Sequence, residues 1–325
     1  MDVTQIEQLE GGLYSTKAGF RKLLSYSEAI TIQSVNKRDR FSEGVYLNER
    51  FLISLQEVQV DTQTGICHFQ RRIIHESSLW GAQYLLLTVI PRPILSKTLQ
   101  FPKDVTPVLL PSIGYFHWLA EELGPFLFAL RNTQNPIVLY WEGAPNYVQD
   151  FLSKLPYKSL AVPRFVKLKE INFVTKQNQI GWSHKRDLEE VIEYFKPHIS
   201  RTVSGKRLYI SRIKSTRSTI FESSLIKNLE EKDWVVVTLE EITLQEQVEL
   251  ISSAEIICGI SGAGLANAIW LSEKSRVIEI APDRFSSSIT KVCENLNIRH
   301  DIIFYENECF THETIVSAIE ELINE

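Results

Sequence analysis

The sequence predicts an α/β protein made of two Rossmann-like domains in tandem, and three observations lead there. The chain has 325 residues, enough for two hydrophobic cores at about 150 residues per domain. From about residue 105 onward, short apolar β-runs alternate with amphipathic helical segments, the pattern of a sheet covered by helices on both faces. The alternation pauses at a polar stretch, Ser200 to Lys206, and then restarts. Residues 1–200 and 201–325 are therefore expected to form separate domains that face a cleft. Open sheets of this kind bind ligands beyond the carboxyl ends of their strands.

Each element follows from local pattern. The leading region, about 30–100, is β-rich, with strands at Val45–Leu47, Phe51–Leu55 and Ile66–Phe69 and a turn at Asp61–Gly65 before the last. Pro91, Pro93, Pro102, Pro107 and Pro111 punctuate the connection to a Rossmann-like stretch, 105–200. There the pattern gives a strand at Val105–Leu110, a helix at Phe116–Leu123, a strand at Ile137–Trp141 and a helix at Tyr147–Leu155. A strand at Phe165–Val174 and a charged helix at Lys185–Phe195 complete it. In the second domain the expected strands are Arg207–Ser211, Trp234–Leu239, Glu255–Ile260, Arg276–Ala281 and Asp301–Tyr305. The expected helices are Glu222–Lys232, Leu244–Ser253, Gly264–Leu271, Ser287–Leu296 and Glu313–Asn324.

Composition narrows the function classes. Hydrophobic residues make up 44% and charged residues 23%, with only 14 Gly and 12 Pro, which excludes disordered and collagen-like chains. A net charge of −5 argues against a nucleic-acid surface but is compatible with a small phosphate ligand. Cys67, Cys258, Cys293 and Cys309 are far apart and form neither a zinc pattern nor a disulfide framework, so reduced buried thiols are expected. Charged residues through the first thirty positions argue against a signal peptide, and the richest apolar run, Tyr84–Ile90, is far below the ~20 residues of a membrane span. A cytoplasmic protein is expected, with peripheral association at the inner membrane face left open. The sequence has no D-x-D pair and no histidine ligand spacing, so no metal site and no cofactor are expected.

Three segments carry chemistry. Glu255–Asn267 runs a buried strand into Gly259-Ile260-Ser261-Gly262-Ala263-Gly264 and then a helix. Glycines let the backbone approach a ligand closely, and a helix N-terminus offers unpaired N–H groups to a diphosphate. The same glycines also suit a tight strand-to-helix turn. The spacing is neither a P-loop nor a dinucleotide fingerprint. A nucleophile elbow on Ser261, with His300 or His312 as base, is disfavoured because Ala263 stands where its last Gly belongs.

On the helix beginning near Tyr115, His117 and Glu121 are four residues apart on one face, beside an apolar stripe of Phe116, Leu119, Leu123 and Leu127. At the carboxyl end of a strand such a pair can serve as general base, and an ordinary amphipathic helix has the same pattern. The strand ending at Ser211 is followed by Arg212, Lys214 and Arg217, which can clamp phosphate or form a solvated basic loop. Glu279, before Pro282-Asp283, can accept ribose hydroxyls or pair with a neighbouring cation. Trp141-Glu142-Gly143 follows a first-domain strand and can meet an acceptor. Trp80, Trp182, Trp234 and Trp270 read as core aromatics.

Taken in order, Tyr115–Leu123, Leu208–Arg217, Gly259–Asn267 and Val277–Pro282 resemble the motifs of glycosyltransferase family 61. The resemblance covers about 105–310 and implies a GT-B fold, two Rossmann-like domains with a nucleotide-sugar donor held mainly by the second. It also implies inverting transfer from a nucleotide sugar, expected to be a UDP-sugar, to a hydroxyl of a saccharide or lipid-linked saccharide acceptor in bacterial-type surface or capsular polysaccharide assembly. By the resemblance, Ser261, Gly262, Ala263 and Gly264 meet the diphosphate and Arg212 and Arg217 neutralise it. Asn267 and Glu279 hold sugar or ribose, and Glu121 is the general base, assisted by His117. Two positions depart from the family pattern. Ser261 replaces a family histidine, which raises a non-catalytic, nucleotide-sugar-binding subunit as the alternative, and Gly124 stands before Pro125.

Overall fold

The computed structural model describes residues 5–7, 29–33, 43–47, 52–69, 72–73, 97–174, 181–200, 202–214, 219–282, 285–305 and 311–324. Arg217, Trp80, Cys309, Asp283 and the apolar run at 84–90 lie outside them. The chain divides into two compact units, one running to Val191 and the other beginning at Ile192.

Unit 1 has eleven strands among the described residues: β1 (Gln5–Glu7), β2 (Ala29–Gln33), β3 (Glu43–Leu47), β4 (Leu52–Asp61), β5 (Cys67–Phe69), β6 (Arg72–Ile73), β7 (Lys97–Leu99), β8 (Thr106–Leu110), β9 (Pro136–Trp141), β10 (Ser159–Val162) and β11 (Phe165–Val174). β2 and β3 pair by themselves; the rest form one sheet ordered β10-β9-β8-β11-β4-β5-β6, with β1 on β4 and β7 on β11. Its β10-to-β11 side is parallel. At β11 it turns antiparallel, with β4 running beside it from Phe165↔Asp61 to Val174↔Leu52. Leu55, Val58, Val60, Leu109, Leu139, Val166, Leu168 and Ile171 close the core of this sheet. Each such side chain contributes about 1.5–3 kcal/mol on burial. The turn before β5 is tied down by Asp61, which is buried and takes three hydrogen bonds from the Arg164 guanidinium beside β11.

One long helix, α1, follows β8. It is α-helical over Tyr115–His117, opens into a π turn over Trp118–Glu122, and is α-helical again over Leu123–Arg131. The cause is local. Pro125 has no N–H, and its ring crowds the carbonyl of Glu121 four residues earlier. The turn before it widens, and Leu123 N–H reaches back five residues to the Trp118 carbonyl. Helices α2 (Asn146–Ser153) and α3 (Lys185–Phe195) follow among the described residues. Gly124 lets the start of α3 approach α1, because a Cβ there would lie 2.3 Å from the Asp187 carbonyl oxygen.

Unit 2 is a parallel sheet of β12 (Lys206–Ile210), β13 (Val235–Val237), β14 (Ala254–Ile260), β15 (Arg276–Pro282) and β16 (Arg299–Tyr305), in the order β13-β12-β14-β15-β16. Numbered along the chain this is 2-1-3-4-5, a doubly wound order whose direction reverses between its first and third strands. One face buries Tyr209, Ile256, Cys258, Ile278 and Ile280 under helices α4 (Glu222–Glu230) and α7 (His312–Asn324). The other face is covered by α5 (Leu244–Ser252), a 3₁₀ helix (Ala263–Trp270) and α6 (Ser288–Leu296). The segment after β14, expected to be α-helical, is thus a 3₁₀ helix, which weakens any macrodipole argument for it.

Cys67, Cys258 and Cys293 are buried outside any disulfide, and burial pushes the pKa of Cys258 and of Cys293 well up. Among the described residues no helix is long and apolar enough to cross a membrane. Among the same residues no group of three or more His, Cys, Asp or Glu could hold a metal ion.

Candidate active site

In unit 1, α1 brings His117 and Glu121 together, with Nδ1 of the imidazole 2.7 Å from Oε2 of the carboxylate. Their exposures differ: the His117 side chain is 27% exposed and that of Glu121 is 0% exposed. The second Glu121 oxygen, Oε1, accepts a hydrogen bond of 2.6 Å from the backbone N–H of Gly181. Gly181 has φ +84°, a left-handed backbone that favours glycine. Glu121 is therefore held from both sides, at the π turn, while the imidazole keeps part of its surface exposed. Burial alone would lower the His117 pKa, but the hydrogen bond and charge of Glu121, with the charge of Glu122, outweigh it and raise the pKa above 6.5.

Around this pair the helix start packs rings. Tyr115 and Tyr147 meet edge-on at 5.1 Å, and Trp118 lies 5.0 Å from Tyr147 and 5.7 Å from Phe151. Burial pushes the Tyr147 pKa up to about 12. Trp182 is buried in the same unit and Trp270 in the other, so both act as core aromatics. Glu142 and Gly143 are exposed after β9, and the Trp141 ring fills the space a Gly143 side chain would take.

In unit 2, the loops that follow β12 and β14 lie on either side of the point where the strand order reverses. Arg212 leaves β12, and its guanidinium donates to the Ser261 carbonyl in the turn after β14. It lies so close to Gly262 that a Cβ there would sit 2.6 Å from the guanidinium Nη1. Gly264 and Gly259 answer to packing instead, against Ile210 Cγ2 at 3.1 Å and the Ile210 carbonyl at 3.0 Å. The Ser261 N–H is engaged by the Ile280 carbonyl. The amides of Gly262, Ala263 and Gly264 precede the first bond of the 3₁₀ helix, which runs from Leu265 N–H to the Gly262 carbonyl. Ser261 through Gly264 are half-buried, so this edge faces solvent. Tyr305, at the end of β16, lies within electrostatic reach of Arg212. Burial raises its pKa against the lowering effect of that cation.

Other expected residues stand elsewhere. Asn267 is fully buried, and its carboxamide donates to the Gly264 carbonyl and accepts from Trp270 Nε1, bracing its own helix. Glu279 lies in mid-strand beneath the helices, not at the strand end, and its carboxylate faces His300 Nε2 at 3.2 Å. With 0% and 5% of these side chains exposed, that pair is part of the core. Of the two bases considered for Ser261, His300 is thus buried against Glu279, and His312 Nε2 lies 3.6 Å from Glu313. Lys214 pairs with Glu241 at the surface.

Sequence reasoning missed Glu222. It is buried at the first turn of α4, and Oε1 takes hydrogen bonds from the Arg212 backbone N–H (2.5 Å) and the Tyr209 hydroxyl (3.3 Å). Burial and the Glu222 charge push the Tyr209 pKa far up.

A search of curated proteins finds no match to the chain. The model of one protein family, Glycosyltransferase 61, matches residues 115–278. The matched span begins two residues before His117, takes in the Arg212 loop and the glycine turn, and covers half of the sequence. The chain belongs to the glycosyltransferase 61 family.

Proposed function

We propose that this protein is an inverting glycosyltransferase that passes a sugar from a nucleotide-sugar donor, a UDP-sugar in the first instance, to a hydroxyl of a saccharide or lipid-linked saccharide. The observation that carries the donor half is the Arg212 guanidinium laid on the Ser261–Gly262 backbone at the strand-order reversal. A cation, three backbone amides and a carboxyl-edge position together suit a diphosphate. No metal is needed to hold its charge in this reading. In the GT-B arrangement, residues 1–200 would serve the acceptor and residues 201–325 the donor.

In unit 1 the exposures support giving the proton step to His117, with Glu121, expected as the base, in the assisting role. Glu121 is buried and doubly hydrogen-bonded, so it orients the imidazole and raises its basicity, and neutral His117 takes the proton from the acceptor hydroxyl. The freed oxygen forms a bond to the anomeric carbon while the bond from that carbon to the diphosphate oxygen breaks. The electron pair leaves with the nucleoside diphosphate, whose charge Arg212 and the amides receive. A single displacement inverts the anomeric centre. Assembly of surface or capsular polysaccharide at the cytoplasmic side of a membrane is the setting that suits such an acceptor.

Thermal unfolding against UDP-, GDP- and dTDP-sugars tests the reading, since a bound ligand raises the apparent stability. Arg212→Ala should abolish the shift, and His117→Ala should keep the shift and lose transfer. A protein that shifts with no nucleotide sugar would sink the donor site. Ser261, standing where the family pattern has histidine, supports the second reading, a subunit that binds nucleotide sugar without turnover. That reading predicts the shift in full and no transfer to any acceptor.

A further inference from the structure

Thr219-Ile220-Phe221-Glu222 spells the Thr-x-x-Glu signature of a helix capping box. The same signature at Thr243–Glu246 forms its box: Glu246 N–H donates to Thr243 Oγ1 at 3.3 Å and Thr243 N–H donates to Glu246 Oε2 at 2.7 Å. At Thr219–Glu222 no box forms: the N-cap of α4 is Phe221, which makes Glu222 its first helical residue. No side chain caps α4, and Thr219 Oγ1 and Glu222 Oε2 are both buried without a hydrogen-bond partner among the described residues. Glu222 therefore makes its hydrogen-bond contact outside any cap of α4. That contact is the backbone of Arg212, 2.5 Å from Oε1, with the Tyr209 hydroxyl on the same oxygen.

We infer that Glu222 is a positioning residue for the diphosphate-binding arginine. Its carboxylate fixes the Arg212 backbone where the chain leaves β12, and that fixes the origin of the guanidinium lying on Ser261 and Gly262. The position at the first turn of α4 favours the anion there, through the helix dipole. The buried, unpartnered Oε2 leaves the carboxylate one acceptor short of satisfaction. The inference rests on the donor-site reading above.

The experiment is calorimetric titration of the intact protein and its variants with inorganic pyrophosphate and, separately, with UDP. Both Glu222→Ala and Glu222→Gln remove a negative charge beside an anion site, so simple electrostatics predicts tighter binding in both. Positioning predicts a split. Glu222→Gln keeps an acceptor oxygen for the Arg212 N–H and should bind within about threefold of the parent. Glu222→Ala should lose about tenfold in affinity, and hydrogen exchange at the Arg212 amide should accelerate with it. If Glu222→Ala does not fold, Glu222→Asp, with its carboxylate drawn back by one methylene, should show the same loss. Equal affinities for the alanine and glutamine variants would overturn the inference while leaving the donor site standing. Failure of the parent to bind pyrophosphate and UDP would overturn both.

Discussion

Nδ1 of His117 lies 2.7 Å from Oε2 of Glu121, and of the two side chains only the imidazole reaches solvent. The contact raises the His117 pKa above its ordinary value against the lowering effect of burial. A raised imidazole pKa stabilises the fold below about pH 6.5, and that contribution is lost as pH rises through the folded value. A base must be neutral to accept a proton, so transfer should rise with pH along the same titration. Glu121→Gln removes the raising charge of that residue, while its amide oxygen can still accept from the imidazole and the burial stays. NMR titration of His117 should then show a lower pKa, and the rising limb of kcat/KM should move to lower pH with it. A limb that stays in place would remove His117 from the proton step. His117→Ala should lower kcat by about 10²–10⁴-fold, the usual worth of a general base.

Gly124 makes a stability prediction. A methyl group there meets the Asp187 backbone, at 2.3 Å from its carbonyl oxygen and 2.7 Å from its Cα, and backbone cannot rotate away as a flexible side chain can. Gly124→Ala should destabilise by about 1–3 kcal/mol, the usual cost of overpacking. Denaturant unfolding checks it, and an unchanged midpoint would mean that α1 and the start of α3 can separate freely.

Periodicity made unit 2 legible: every expected strand is present, and the edge of the sheet that holds Arg212 also holds the glycine turn. In unit 1 it made six of the eleven described strands legible, missed short ones such as β7 and β10, and did not give the pairing. The antiparallel match of β4 with β11 joins residues about a hundred positions apart, and nothing local encodes it. The expected helix at 116–123 extends from Tyr115 to Arg131, because Pro125 widens the helix without ending it. Glu222 escaped notice because local pattern gives it only as the start of a helix, and the tertiary structure alone brings it onto Arg212. Asn267 was misleading for the opposite reason: a polar residue in a motif need not face the ligand, and here it bonds Trp270.

Glu279 separates a core role from a ligand role. Alternation along β15 puts Ile278 and Ile280 under α4 and α7, and Glu279 on the other face, against His300. Removing one member of a buried pair strands the other, at about 3–5 kcal/mol. His300→Ala should therefore lower the unfolding midpoint strongly. In whatever fraction stays folded, the affinity for UDP should change less than twofold. A large loss of UDP affinity at unchanged stability would return Glu279 to the donor site.

Ser261 offers the sharpest test of activity. Its N–H is held by Ile280, its carbonyl lies under Arg212, and its side chain sits half-buried at the edge that bears the Gly262–Gly264 amides. A hydroxyl there offers one neutral donor, whereas a protonated imidazole offers a charged one. Hydrogen bonds involving a charged group are worth about 1.5–3 kcal/mol, against about 1 for neutral pairs. Ser261→His should thus tighten UDP binding by roughly tenfold below pH 6.5, with the gain fading as the imidazole loses its proton. If the parent transfers sugar, kcat should rise in the variant over the same pH range, because the charge that develops on the leaving diphosphate meets a stronger donor. If the parent binds UDP without turnover and the variant transfers sugar, the serine alone accounts for the silence. A variant that binds no more tightly at low pH than at high pH would show that residue 261 does not face the phosphates.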